Sequence, residues 1–325
     1  MAKSPWFREH RKQGERSTHA GEHVPVMLTE CVAALNPQPG HVVVDCTLGF
    51  AGHSCELLKA VGPTGMLIAF DLDPEHITRA EEKLSAVGHP YHIHHGNFAG
   101  LSGVLAEKGI TQINGLLADL GMSSMQVDDP DRGFSFLRDG PLDMRMDRTR
   151  GRTAAELLMT LSVEDLAAAF RDLGDQPEAE TIAEAIVNER THTPFERTKQ
   201  LFDLVERVAP VQVIKSPGAG PARKQELRPA TRVFQALRIL VNRELANLQQ
   251  LLRELPYVLA PGGTAAILAF HSGEDRLVKA AFREGFQNGS YSKVSDDPER
   301  PSEKEKAANP RSRSAKLRVA TRSTV

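Results

Sequence analysis

The stretch Asp45-Cys46-Thr47-Leu48-Gly49-Phe50-Ala51-Gly52-His53-Ser54 decides the fold. It follows a short β-branched run, His41–Val44, and leads into His53–Ala60, which reads as a short helix closed by Gly62. A strand ending in an acid, a turn of small residues and a helix make the opening unit of a doubly wound α/β sheet. Small side chains in such a turn let the backbone approach a ligand at the carboxyl edge of the sheet.

The chain on either side repeats the theme. Met66–Phe70 is a second apolar run ending in Asp71, and Asp73-Pro74 is an N-cap with proline at the first helical position. The helix that follows should run to Val87 and stop at Gly88. Tyr91–His95 alternates as a strand does, and Ile113–Ala118 is another apolar run, ending in Asp119. Short apolar strands separated by helices imply a parallel sheet.

From Thr153 to Val208 the signals are helical only, with breaks at Gly174, Pro177 and Thr193-Pro194. Ile214–Pro229 reads as an exposed loop. Thr231–Leu255 is expected to be one long helix, because Phe234, Leu237, Val241, Leu245, Leu248, Leu252 and Leu255 recur every three or four residues. Pro261-Gly262-Gly263 should turn the chain into a buried strand, Thr264–Phe270, and residues 287–310 look polar and mobile. The expected architecture is a doubly wound α/β domain built from both ends of the chain, with an all-helical insertion between them. It divides into a basic N-terminal tail (1–21), a first domain part (22–130), the insert (131–228), a second domain part (229–286) and a polar, basic C-terminal segment (287–325).

Composition narrows the function. At 325 residues with 40% apolar and 25% charged residues, the chain can bury a sizeable core. Its longest apolar stretches fall far short of the roughly 20 residues of a membrane helix, and the N-terminus lacks an apolar signal core, so a cytoplasmic protein with no membrane contact is expected. Cys31, Cys46 and Cys55 give neither a disulfide framework nor a metal-ligand spacing, and no metal is expected. The net charge of −2 is uneven: residues 1–16 carry five Lys/Arg and two Glu, and residues 311–325 carry five Lys/Arg and no acid. Basic ends on an acidic body suit either contact with a polyanion or simple solubilisation.

Asp71, 19 residues after Gly52, stands where an acid can accept both hydroxyl hydrogens of a ribose, so the loop and Asp71 together indicate an adenosine-containing cofactor. The loop is neither GxGxxG nor GxxxxGK[ST]. A cofactor with no pyrophosphate, such as S-adenosylmethionine, therefore suits it better than a dinucleotide or a triphosphate. A plain glycine turn with Asp71 capping a helix is the structural alternative.

Asp119-Leu120-Gly121-Met122-Ser123-Ser124-Met125-Gln126 follows a later strand. In a methyl-transferring enzyme, Asp119, Ser123 or Ser124 at that edge could accept N–H groups from a target amine, or Asp119 could hold the methionine end of the donor. A capped loop is the competing account. In Asp128–Phe136 and Asp139–Asp147, Phe134 and Phe136 could stack a base from an active-site lid or could be core residues. Phe270-His271-Ser272-Gly273-Glu274 places His271 at a strand's carboxyl edge, as a site residue or a structural histidine.

Taken together, these stretches closely resemble the MraW-type ribosomal RNA methyltransferases. The matching pieces are His23–Val26, Asp45–Ser54, Asp71–Pro74, His95–Phe98, Asp119–Gln126, Arg132–Phe136, Asp139–Asp147, Pro229–Leu240, Pro261–Gly263, Phe270–Arg276 and Asn309–Arg318, in that order. The resemblance implies that the α/β domain is Rossmann-like, and it implies S-adenosylmethionine-dependent methylation of N4 of a cytosine in the decoding region of small-subunit (16S) ribosomal RNA. The partner would be that RNA or the 30S particle, with a homodimer also open. Carried over by the resemblance, the donor contacts are Ala51, Gly52, His53, Asp71, Phe98, Asp119 and Gln126. The substrate-binding candidates are Phe134, Phe136, Arg145, Arg232 and His271, and the basic tails with the Arg223-Lys224, Arg228 loop would hold phosphates. A DNA amino-methyltransferase and a cofactor-binding assembly factor without turnover are the rival readings, with an NAD oxidoreductase a distant third.

The chain departs from the family's pattern at Phe50-Ala51, where a smaller residue or Arg is followed by Gly, and at Gly273, usually Leu. It also departs at Arg228, usually His, in the longer Lys215–Glu226 loop and at Asp175–Glu178.

Overall fold

The computed structural model describes residues 24–209, 212–215 and 224–324. In chain order the elements are α1 (Leu28–Leu35), β1 (Val42–Asp45), α2 (Gly52–Val61), β2 (Met66–Asp71), α3 (Pro74–Val87), β3 (Tyr91–His95), α4 (Leu101–Glu107), β4 (Ile113–Asp119) and α5 (Ser124–Asp128). The helices α6 (Ala154–Thr160), α7 (Val163–Gly174), α8 (Ala179–Arg190) and α9 (Thr198–Val208) come next, then β5 (Gln212–Lys215), β6 (Lys224–Leu227) and α10 (Pro229–Asn242). The remainder is α11 (Glu244–Val258), β7 (Leu259–Ala269), α12 (Ser272–Gln287), β8 (Tyr291–Val294), α13 (Glu303–Ala308) and β9 (Lys316–Arg322).

The chain forms two compact units, 1–124 with 245–325, and 125–244. The first is a seven-stranded sheet in the order β3-β2-β1-β4-β7-β9-β8. β1 pairs in parallel with β2 and β4, β2 with β3, and β4 with β7, while β9 runs antiparallel to both β7 and β8. This is the Rossmann-like doubly wound sheet the strand–helix alternation implies.

Alternate residues along each strand enter opposite cores. Val44, Ile68, Phe70, Leu116, Ala118, Ala265 and Ile267 join Leu248, Leu251, Leu255, Val278 and Phe282 on one face. Val43, Leu67, Ala69, Leu117, Ala266 and Leu268 meet Cys31, Leu35, Leu57, Leu58, Ala80 and Leu84 on the other. Burial on both sides is why these strands read as unbroken apolar runs.

The second unit is helical, with a two-stranded antiparallel ribbon, β5–β6. Its buried residues include Leu158, Leu166, Phe170, Ile182, Ile186, Leu201, Phe202, Val205, Val233, Phe234 and Leu237. α10 packs on α7 and belongs with the insert, so this unit extends past residue 228.

Four expectations are corrected. Ile214–Pro229 is not simply a loop and the insert is not all-helical, because the end of β5, all of β6 and the first residue of α10 fall there, the two strands holding each other by antiparallel pairing. Thr231–Leu255 is two helices, because Arg243 adopts the left-handed conformation (φ 53°) and ends α10. Residues 287–310 are ordered, carrying β8 and α13. Pro261-Gly262-Gly263 lies within β7 as an irregularity in its register with β4 rather than as a separate turn. Among the described residues no helix is long and apolar enough to cross a membrane.

Candidate active site

The strand order reverses direction between β1 and β4, and in open α/β sheets the ligand crevice opens there, outside the carboxyl ends. The loop after β1 is built onto both neighbours. Cys46 N–H donates to the Leu117 carbonyl at 2.8 Å, and Leu48 N–H to the Phe70 carbonyl at 2.9 Å. The Thr47 hydroxyl accepts from Asp119 N–H at 2.7 Å and donates to Asp45 Oδ1 at 3.4 Å, tying the ends of β1 and β4 together. Asp45 is buried, and it accepts from Ser54 Oγ at 2.6 Å and Thr47 N–H at 3.0 Å. Burial pushes its carboxyl above the ordinary range against the pull of the Ser54 bond.

Two backbone positions shape the cradle. Ala51, immediately before α2, is left-handed at φ 60°, a conformation that costs an L-residue roughly 1–2 kcal/mol. A Cβ on Gly52 would stand 2.3 Å from Pro25 Cγ, so only glycine lets the start of α2 lie against that proline.

Asp71 gathers three segments. Its Oδ2 accepts from Gly49 N–H and its Oδ1 from Asp73 N–H, each at 2.8 Å, and His76 Nδ1 lies 3.3 Å from both oxygens. His76 is buried, and its Nε2 is 2.8 Å from Ser123 Oγ. The ring of Phe50 meets His76 edge-on at 5.1 Å. Carboxylate, imidazole and hydroxyl thus form a continuous chain from the end of β2 to the loop after β4. A carboxylate offers about four acceptor sites, so Asp71 retains capacity for a ligand hydroxyl beside the loop bonds it makes.

Asp119 faces His53. His53 Nε2 lies 3.0 Å from the Val26 carbonyl, which can only accept, so that nitrogen carries the proton. Nδ1 points at Asp119 Oδ2, 3.7 Å away. Burial pushes the Asp119 carboxyl up to about 6; His53 pulls it down, while Asp45 and Glu274 push it further up.

The ends of β1, β2 and β4 therefore carry Asp45, Asp71 and Asp119. Asp45 is buried and spent on Thr47 and Ser54; Asp71 and Asp119, which keep some exposure at the edge, disfavour a pyrophosphate and suit a cationic ligand. A sulfonium donor with an adenosine end has the chemistry that this set of side chains fits.

Of the other expected site residues in this unit, Phe98 follows β3 and packs half-buried against the core. Ser124 opens α5. His271 Nε2 lies 3.2 Å from Glu274 Oε1, and Glu274 also accepts from the Phe270 and His271 N–H groups, so Gly273 leaves this turn well tied.

Gln126, Phe134, Phe136, Arg145 and Arg232 belong to the second unit. Gln126 and Phe134 are buried, and Arg132 stacks over Phe134 at 5.9 Å. Phe136 stacks on Phe202 at 5.0 Å and meets Phe234 edge-on at 5.1 Å, so its ring is spent on the insert's own packing. Arg145 grips Asp143 with two bonds, of 2.8 and 2.9 Å. A Cβ on Gly140 would stand 1.8 Å from the Pro130 carbonyl oxygen, so residues 130–140 fold closely on themselves rather than as an open flap. Arg232 is half-buried on α10, and Arg228 is paired with Glu206 at 2.8 Å.

In the basic C-terminal segment two cations serve the fold: Lys316 and Arg318 in β9 bond Asp275 at 2.7 and 2.6 Å, and Arg318 is only 3% exposed. The basic stretch 1–16, Arg223 and the side chain of Lys224 lie outside the described residues.

Sequence reading missed His76. It falls in the first turn of α3, where nothing in the local pattern separates it from a surface residue; its position five residues after Asp71 was the available signal.

The profile of the MraW methylase family matches residues 20–323. The ribosomal RNA small subunit methyltransferase H of a Geobacter species is 44% identical over 314 residues, which cover 91% of this chain and 97% of that protein. The protein of the same name from Shewanella loihica is 43% identical over 317 residues, covering 92% and 97%. Among solved structures, an rRNA methylase from Streptococcus thermophilus aligns with a TM-score of 0.41 at 9% identity, covering 91% of this chain and 93% of that one. A profile match along nearly all of the chain, with relatives aligned over almost their whole length, means that this chain belongs to the MraW methylase family.

Proposed function

We propose that this methylase transfers the methyl group of S-adenosylmethionine to the exocyclic N4 of a cytosine in the decoding region of small-subunit ribosomal RNA, in the cytoplasm. The observation that carries the reading is the pair of carboxylates, Asp71 and Asp119, at the ends of β2 and β4 on either side of the β1 loop, which suits a sulfonium cation better than a pyrophosphate. The names of the Geobacter and Shewanella relatives support the substrate.

When bound, S-adenosylmethionine supplies an electrophilic methyl on a positively charged sulfur. Asp71 would accept from the ribose, and the Gly49–Gly52 turn would let the donor lie against the backbone. The cytosine amine is a poor nucleophile because its lone pair is delocalised into the ring. Catalysis then rests on positioning and on acceptors that draw the N–H groups out of conjugation. Asp119, mostly ionised above pH 6, is one acceptor. The Ser123 hydroxyl, held by His76, is the other, and Ser124 is its neighbour on the same turn. The base must leave its stack to reach this edge.

Incubation with methyl-labelled donor and nucleoside analysis of the product tests this. N4-methylcytidine in small-subunit RNA or 30S particles is the expected result. Label found only in duplex DNA, or no transfer with donor bound, would reject the proposal.

A further inference from the structure

One outer face of the methylase unit carries more positive charge than folding needs. α12 is sixteen residues long and buries Val278, Phe282 and Gly285 on one side. At 3.6 residues per turn, Arg276, Lys279 and Arg283 fall together on the opposite, exposed side, with Phe286 beside Lys279 and Gln287 beside Arg276. These cations line a shallow open recess of about 350 Å³ together with Ala280, Gln287 and a single acid, Glu284. Among the described residues neither Lys279 nor Arg283 has a hydrogen-bond or ion-pair partner, although Arg276 does bond within the fold.

Like charges three, four and seven residues apart on one helix face repel, and this weakens the helix. Phe286 is 51% exposed, a large apolar ring left half in solvent. Elsewhere the unit neutralises its buried cations: Asp275, on the same helix, takes both Lys316 and Arg318. Lys279 and Arg283, with one acid, Glu284, beside them, therefore stand out against a chain whose net charge is −2. α12 also starts directly after β7, at the carboxyl edge of the sheet, so the stripe leads away from the candidate active site.

We propose that the exposed face of α12 is a track for single-stranded RNA, in which Arg276, Lys279 and Arg283 take successive phosphates and Phe286 stacks a base. Cations that follow a backbone, combined with an aromatic platform, are the general means of holding single strands. An acidic protein partner would account for the charges but not for the exposed ring. The track rests on the reading of RNA as substrate and adds to it where the strand flanking the target runs.

The test compares the full-length wild type with Lys279→Ala/Arg283→Ala and with Phe286→Ala. A Lys59→Ala/Lys304→Ala variant serves as the charge-matched control. Affinity for a fluorescent small-subunit RNA fragment is measured over a salt series, alongside donor binding and melting. Each phosphate contact on a single strand contributes about 0.7 to the slope of log K against log salt, so the double variant should be shallower by about 1.4 while the control is unchanged. Phe286→Ala should lose on the order of ten-fold in affinity with the slope retained. Donor binding should not move in any variant. A double variant with wild-type affinity and slope, while the wild type still methylates the RNA, overturns the track and leaves the substrate reading intact; an acidic-protein site would give this result. A wild type that does not methylate RNA removes the substrate reading and the track with it.

Discussion

Replacing Asp119 with Asn should make the protein more stable and less active, by an amount set by pH. The carboxyl ionises near pH 6 in the fold against an ordinary value of 3.8. A tenfold change in proton affinity corresponds to about 1.4 kcal/mol, so holding Asp119 ionised at pH 8 costs the folded state about 3 kcal/mol. For an acid whose folded value is raised, the native state binds the extra proton between the two values, so stability falls as pH rises from about 4 to 6 and is level above. Asn keeps the shape without the charge. The expected gain is about 3 kcal/mol at pH 8, roughly half that at pH 5, and close to none below pH 4. In a unit of this size 1 kcal/mol moves the melting temperature by about 2–4 °C, so Asp119→Asn should melt roughly 6–12 °C higher at pH 8. Methyl transfer should fall by on the order of a hundred-fold or more as an acceptor is lost. Scanning calorimetry at pH 5 and 8, with a transfer assay on the same samples, reads both. A variant no more stable than the wild type at pH 8, or stabilised equally at the two pH values, would refute the placement of an ionised carboxylate in a poorly solvated edge.

Gly52→Ala drives a methyl group into Pro25; it should destabilise by about 1–3 kcal/mol and weaken donor binding in calorimetric titration, and an unchanged donor affinity would count against the cradle. His76→Ala should lower kcat about as far as Ser123→Ala with little change in the donor's KM. The two changes together should be no worse than either alone, because one residue acts through the other; additive losses would contradict the Asp71–His76–Ser123 chain. Asp275→Ala leaves the buried Arg318 guanidinium unpaired and should cost about 3 kcal/mol in urea unfolding, whereas a loss under 1 kcal/mol would mean that the pair does not hold β9 in place.

Where the sequence was legible, the relevant physics was local. Asp45, Asp71 and Asp119 each end an apolar run that the sheet buries on both faces, so strand, strand end and acid could all be read from a few neighbouring residues. The break between α10 and α11 was not legible, because it rests on a left-handed arginine, Arg243, with neither glycine nor proline to mark it. β8 escaped because four residues, Tyr-Ser-Lys-Val, become a strand only by pairing with β9. The basic residues of β9 looked like an RNA-binding tail because their partner, Asp275, lies some forty residues earlier in the chain. The Phe134–Phe136 segment was ambiguous for a similar reason, since Phe202 and Phe234, which enclose Phe136, come from distant helices.

β9 separates β7 from β8, so a growing chain emerging from a ribosome leaves β7 with one bare side and β8 with no strand partner until Lys316–Arg322 has been made and threaded between them. Such late, non-local pairing slows folding and exposes sticky edges meanwhile. Stalled or shortened chains lacking that segment should therefore be the species that chaperones and proteases encounter.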